Sequence, residues 1–201
     1  SLPIKVVGIS GSVGKTSTKE MISSVISQKY KVHKTAGNFN NEIGLPLTVF
    51  GIRAEHEVAI LEMGISDFNE MHRLATVANP DICVITNIGL CHLENLGTRD
   101  GILKAKTEMF DHMKEGGLAI LNGDDNKLST KTRVNGRDTV FYGFDEDAKQ
   151  DEDSKAKKKS AHICFMNSPS LQKILSQNPG KTGRKLAAKS VILPPRLDIK
   201  P

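Results

Sequence analysis

Short apolar runs alternate with helix-period patterns over roughly the first 145 residues. KVVGI (5–9), VHKT (32–35), VAILE (58–62), ICVIT (82–86), LAILN (118–122) and TVFYG (139–143) read as strands. Between them, apolar residues recur every three or four positions. That spacing predicts helices over Lys15–Gln28, Leu45–Ile52, Phe68–Val77 and Arg99–Met113, and a short helix around Asn126–Arg133. The strand runs are nearly continuous in apolar residues rather than alternating, as strands covered on both faces are. The pattern therefore predicts an α/β fold, a mostly parallel sheet flanked by helices. In such sheets ligands bind beyond the carboxyl ends of the strands.

One helix conflicts with its own pattern. In GILKAKTEMF (101–110) the helical angle of about 100° per residue puts Ile102, Lys106, Met109, Phe110 and Met113 on one stripe. Lys106 lies near the middle of that stripe and Lys104 roughly opposite. A dry, unpaired ammonium is expensive. The pattern alone leaves two readings open: the Lys106 stem snorkels along apolar surface, or its amine serves a purpose inside.

GISGSVGKTST (8–18) comes after the first predicted strand and opens the first predicted helix, which is the setting of a phosphate loop. Gly11, Ser12, Val13, Gly14, Lys15, Thr16 and Ser17 would wrap a nucleotide's phosphates with backbone N–H groups and the positive end of a helix. Lys15 would reach the outer phosphates and the Thr16 hydroxyl would bind Mg²⁺. The pattern departs from G-x-x-x-x-G-K-[ST] at one place, where Ile9 stands for the first glycine. Glu62 closes a buried strand, where a carboxylate ligand of Mg²⁺ is expected. A second loop-like stretch, PGKTG (179–183), has no strand before it and reads as a turn.

Composition adds limits. At 38% hydrophobic with 17 glycines, the 201 residues fit an ordinary soluble domain. No apolar run approaches the ~20 residues of a membrane span, and SLPIKVVGIS has no secretory pattern. Cys83, Cys91 and Cys164 lack metal-binding spacing, which fits a reducing, cytoplasmic compartment. Cys91 beside His92 is read as a plain free thiol. The net charge of +5 is uneven: residues 1–145 carry −1 and residues 146–201 carry +6. DEDAKQDEDSKAKKKS (145–160) reads as a solvated linker, and the basic tail beyond it lacks the interleaved aromatics of a nucleic-acid binder. No nucleic-acid partner is expected.

SGSVGKTSTKEM (10–21), TAGNFNNEIGLPLT (35–48), LEMGISDFNEMHRL (61–74), TNIGLCHLENLGTRDGILKAKTEMF (86–110) and LNGDD (121–125) occur in an order and spacing that resembles the central ATPase domain of the Mur ligases. The missing first glycine is missing in that family too. GNFNNEIGLP is most similar to the type that adds D-alanyl-D-alanine to UDP-N-acetylmuramoyl-tripeptide in peptidoglycan synthesis. The resemblance covers about residues 4–144. It implies an ATP-dependent, amide-forming ligase acting through an acyl phosphate, with ATP and two Mg²⁺ sites.

By the same resemblance Thr16, Glu62, His92 and a carbamylated Lys106 are metal ligands. Lys15, Glu62, His92 and Lys106 serve the chemistry, Asn122 contacts adenine, and Asn38 and Asn41 lie near the substrate. The resemblance also implies a central ATP-binding domain over 1–145, incomplete at its C-terminal end, with 146–201 a linker and unassigned tail. The family's N-terminal and C-terminal domains are then absent, the chain is expected to be a monomeric fragment, and its activity alone is expected to be low. Two other readings remain: another phosphate-loop enzyme, such as a kinase or a folate polyglutamylating ligase, or an inactive nucleotide-binding remnant.

Overall fold

The computed structural model describes residues 3–143. Ser1–Tyr142 form the first compact unit of the chain. The expected linker, the basic tail, Cys164 and the PGKTG turn lie outside the described residues.

The first unit is built on six parallel strands. In chain order these are β1 (Lys5–Ser10), β2 (Val32–Lys34), β3 (Val58–Glu62), β4 (Ile82–Ile85), β5 (Leu118–Asn122) and, after a small hairpin, β8 (Val140–Tyr142). They lie in the order β2-β3-β1-β4-β5-β8, and every pairing is parallel. From β1 the chain skips to β2 at the edge, returns to place β3 between β2 and β1, then crosses to the other side of β1 and adds β4, β5 and β8 outward. This reversal makes the carboxyl end of β1 the natural ligand crevice.

Strand alternation assigns the two faces. Val6, Ala59, Leu61, Cys83, Ile85, Ala119 and Leu121 join one core cluster with Leu45, Met71, Leu74, Ala105 and Met109. Those partners come from α2 (Gly44–Phe50), α3 (Glu70–Ala78), α5 (Arg99–Thr107) and the 3-10 helix Glu108–His112 that continues it. The alternate set, Val7, Ile9, Val58, Ile60 and Glu62, belongs to the other face. There α1 (Lys15–Ile26) packs against β1, β2 and β3 and buries Ile22 and Ile26.

Predicted and observed elements agree in kind for all six sheet strands and for α1, α2 and α3, with ends shifted by one or two residues. Three differences have local causes. The helix predicted over Arg99–Met113 is α-helical only to Thr107 and then tightens to 3-10. There the Thr107 hydroxyl donates to the carbonyls of Leu103 (2.9 Å) and Lys104 (3.1 Å) and competes with the helical bonds. The short helix expected around Asn126–Arg133 is a series of turns instead. Asp125 Oδ1 accepts from the N–H groups of Lys127 (2.8 Å) and Leu128 (3.1 Å), closing a turn that does not propagate.

After it comes the hairpin β6 (Arg133–Val134) and β7 (Arg137–Asp138), which was not predicted. Its tip is Asn135-Gly136, both at positive φ (49° and 76°), the two-residue turn that suits a hairpin twist. One further turn of helix, α4 (Leu93–Leu96), is too short to show a period in the sequence.

Asp81 anchors the rim opposite the crevice. Its carboxylate accepts from the Val6 N–H (2.9 Å), from Lys5 (3.1 Å) and from Lys114 (2.8 Å). The aspartate is buried while both lysines are partly exposed. Asp81→Ala leaves the Val6 amide unpaired, and we expect a loss of about 2 kcal/mol of stability. Urea unfolding measures this. Nucleotide affinity in the same variant should stay within twofold, because Asp81 lies at the rim opposite the expected ligand crevice.

Candidate active site

The crevice is assembled from the segments immediately after β1, β2, β3 and β4. Gly11 and Gly14 take φ of 145° and 80° in the loop after β1, and a Cβ on Gly11 would collide with Thr86 Oγ1. Lys15 lies across the loop, its Nζ donating to Gly11 O at 2.9 Å and reaching Ser12 O at 3.5 Å. Ser12 N–H and Val13 N–H both donate to Asn87 Oδ1, at 3.0 and 2.9 Å. Thr86 Oγ1 donates to Val13 O at 2.6 Å. The amides left for a phosphate are those of Gly14 and of the first turn of α1, Lys15 to Ser17, which have no helical carbonyl behind them.

Glu62 is the centre of the site. It is 2% exposed at the end of β3. The Thr16 hydroxyl lies 3.1 and 3.0 Å from its two oxygens, and Asn40 Nδ2 donates to Oε1 at 2.9 Å. Lys19 Nζ stands 3.6 Å from Oε2. The Glu62 N–H donates to Thr35 Oγ1 at 2.9 Å, which fixes the strand end itself.

The donor set of Thr16 and Glu62 is hard oxygen beside a phosphate-binding loop, and it fits Mg²⁺. Among the described residues no three His, Cys, Asp or Glu converge as a metal site. The predicted ligand set holds only two residues of those types, Glu62 and His92, so this does not bear against it.

His92 stands on the loop after β4 at φ 54°, exposed, as the residue preceding α4. Among the described residues no hydrogen bond or ion pair joins it to Glu62, Thr16 or Lys106. Cys91 is a free, half-buried thiol next to it. Lys106 is 1% exposed and Lys104 is exposed, as the helical stripe predicted. No hydrogen bond or ion pair reaches Lys106 Nζ among the described residues. Burial lowers its pKa from a lysine's ordinary 10.5 to about 8; nearby Cys91 opposes the shift and Lys15 adds to it.

The remaining predicted residues line the rim. Asn38 and Asn41 border a cavity of about 270 Å³ with Phe39, Ile43 and Gly44. Asn41 Oδ1 also accepts from the N–H groups of Ile43 and Gly44, so it shapes the start of α2. Asn122 Nδ2 donates to Thr86 O at 3.0 Å and its Oδ1 accepts from the Asp124 N–H at 3.0 Å. Tyr142 O–H reaches the same Thr86 carbonyl at 3.4 Å. Burial, with Asp124 and Asp125 adding to it, pushes its phenol up to about 12. Lys19, Asn40 and Asn87 belong to the site and were not predicted. Lys19 was visible: it shares a buried stripe with Ile22, Ser23 and Ile26.

With this geometry in place, likeness to known proteins carries weight. The sequence profile of the Mur ligase middle domain matches residues 9–182, and Lys15, Glu62, His92, Lys106 and Asn122 all fall inside the match.

The chain belongs to the Mur ligase family.

Among curated relatives, the UDP-N-acetylmuramoyl-tripeptide–D-alanyl-D-alanine ligase of Bacillus subtilis is 49% identical over 142 residues, covering 69% of this chain and 31% of that protein. Among solved structures, the MurF ligase from Thermotoga maritima in complex with ADP aligns at TM-score 0.66 with 39% identity, over 71% of this chain and 33% of that one. MurF from Acinetobacter baumannii aligns at 0.65 with 34% identity, over 72% and 32%. The chain thus spans about a third of the length of these Mur ligase relatives.

The depressed Lys106 sets a stability test. Below pH 8 the fold bears the full cost of a dry ammonium. Between pH 8 and 10.5 the unfolded chain holds more protons at this position than the folded one, so stability rises with pH across that window. Lys106→Met removes the cost. In CO₂-free buffer at pH 7 we expect it to stabilise the chain by as much as ~3 kcal/mol, with the gain fading as pH climbs from 8 towards 10.5. Denaturant unfolding at pH 7 and pH 10 reads both.

Proposed function

We propose that this chain is the ATP-binding, phosphoryl-transferring part of a ligase that joins D-alanyl-D-alanine to UDP-N-acetylmuramoyl-tripeptide in peptidoglycan synthesis. The observation that carries this reading is the 49% identity to an enzyme of that name, over a chain whose phosphate loop sets Thr16 against Glu62. The reaction takes place in the cytoplasm, where ATP is supplied.

Two bond exchanges make the amide. An oxygen of the tripeptide's terminal carboxylate attacks the γ-phosphorus of ATP, and the bond to the β–γ bridging oxygen breaks, giving an acyl phosphate and ADP. The amine of D-alanyl-D-alanine then attacks the acyl carbon. Phosphate leaves with the bonding electron pair, and the amine gives up a proton to complete the amide. Lys15 and the amides of Gly14 to Ser17 stabilise charge on the phosphoryl oxygens. Thr16 and Glu62 would hold one Mg²⁺, which when bound neutralises charge between neighbouring phosphates. Asn122 and the Tyr142 edge flank the adenine position, and Asn38 and Asn41 line the substrate side.

Lys106 has the environment of a lysine that reacts with CO₂. Its lowered pKa leaves a share of neutral amine near pH 8. The amine nitrogen adds to the carbon of CO₂ and releases a proton, which turns a buried cation into a carbamate anion. That anion and His92 would be ligands of a second Mg²⁺.

A chimera tests the reading. Residues 4–143 replace the matching segment of the Bacillus subtilis ligase, and product formation with D-alanyl-D-alanine is followed together with ADP release. We expect activity within tenfold of the parent. A folded chimera that binds ATP but forms no amide overturns the assignment. In the same background Lys106→Ala should lower the rate at least 100-fold, and excess acetate or chloride should restore part of it. An unimpaired variant removes Lys106 from the mechanism.

A further inference from the structure

A second lysine is as dry as Lys106, and the proposed chemistry leaves it without a role. Lys19, on α1, is 2% exposed. Its Nζ donates to Thr35 O at 2.8 Å, stands 3.3 Å from Glu20 Oε1 and lies 3.6 Å from Glu62 Oε2. Thr35 in turn accepts the Glu62 N–H through its hydroxyl. One buried ammonium therefore braces both the carboxylate and the segment that fixes that carboxylate's backbone. Glu20 is exposed and also pairs with Lys34, so its charge is divided.

A buried cation this close to Glu62 does more than hold it. Lys19 and Glu62 together carry no net charge. A divalent cation approaching Glu62 alone meets a neutralised carboxylate and a like charge a few ångströms away, in a setting of low dielectric. The phosphates of a nucleotide supply the missing negative charge. We propose that Lys19 is a positioning residue that makes divalent-cation binding at Glu62 depend on bound nucleotide. This rests on the functional reading above, because it takes Glu62 as the metal ligand. The consequence is ordered loading: metal and nucleotide enter together, and free Mg²⁺ does not occupy the site ahead of them.

The probe is Mn²⁺, read by the electron paramagnetic resonance of the free ion, on the full 201-residue chain with and without saturating ADP. Wild type and Lys19→Arg should bind Mn²⁺ weakly alone and tightly with ADP. Lys19→Met and Lys19→Gln should bind Mn²⁺ alone at least fivefold tighter, so that the gain on adding ADP shrinks by the same factor. Lys29→Met, which removes an equal charge from an exposed position, should change it less than twofold. Glu20→Gln, at an exposed site that does not endanger the fold, should weaken binding of Mn²⁺ alone, because Lys19 is then less compensated.

A merely structural Lys19 would lower the melting temperature of the neutral variants and leave Mn²⁺ affinity without ADP unchanged, and that result overturns the inference. If the neutral variants do not fold, an unchanged Glu20→Gln overturns it. If wild type binds no Mn²⁺ even with ADP, the functional reading falls and this inference falls with it.

Discussion

A carboxylate buried at the end of a central strand must be surrounded by donors. Glu62 is that carboxylate, and the crevice is arranged to satisfy it. The Thr16 hydroxyl comes from the first turn of α1, Lys19 from the next turn and Asn40 from the loop after β2. A hydroxyl, an amide and an ammonium share two oxygens, so no single partner is indispensable for solvation. Together they bring α1 and the loop after β2 to the same point. The phosphate loop is thereby registered against β3, and the loop after β2 is folded over the strand end. The same contacts turn the Glu62 oxygens towards the phosphate loop.

A second set of contacts holds the phosphate loop to the end of β4 and the loop beyond it. Asn87 takes two loop amides and Thr86 takes the Val13 carbonyl. Asn122 and Tyr142 both reach the Thr86 carbonyl. Asp125 accepts the Ile88 N–H at 2.8 Å, and Arg99, at the start of α5, donates to Ile88 O at 2.8 Å. The segment 86–89 is thus tied to the phosphate loop, to β5 and the turn after it, and to the helix that carries Lys106.

Much of this was legible in the sequence, for physical reasons. Fully apolar runs between helix-period segments have few folds open to them, and glycines before Lys15-Thr16 at a strand-to-helix boundary have few uses. Lys106 was legible because helical geometry is strict enough to separate it from Lys104. The same rule applied to α1 would have found Lys19 beside Ile22 and Ile26, but the phosphate loop at the start of that helix drew attention to Lys15 alone. Asn40 was hidden by its neighbours. In GNFNN three asparagines look alike, and only the folded loop decides that Asn40 meets Glu62 while Asn41 caps a turn. The 3-10 ending of α5 and the turns after Asp125 depend on single side-chain hydrogen bonds, which periodicity cannot register. The Asn135-Gly136 hairpin carried its own signal, overshadowed by a helix expectation for the residues before it.

The sheet has a property apart from its ligand site. Among the described residues its middle strands run four to six residues, but the two outermost strands, β2 and β8, have only three. An incoming extended chain would find few peptide groups along either rim to pair with, and on β2 it would meet Lys34, which holds Glu20 across its flank. Short, partly charged rims are a known defence against strand-by-strand accretion. A domain with parallel strands must wait for distant segments before its sheet closes, and its unfinished edges are exposed meanwhile. Keeping the outermost strands short limits how far a wrong pairing can grow before the correct one displaces it.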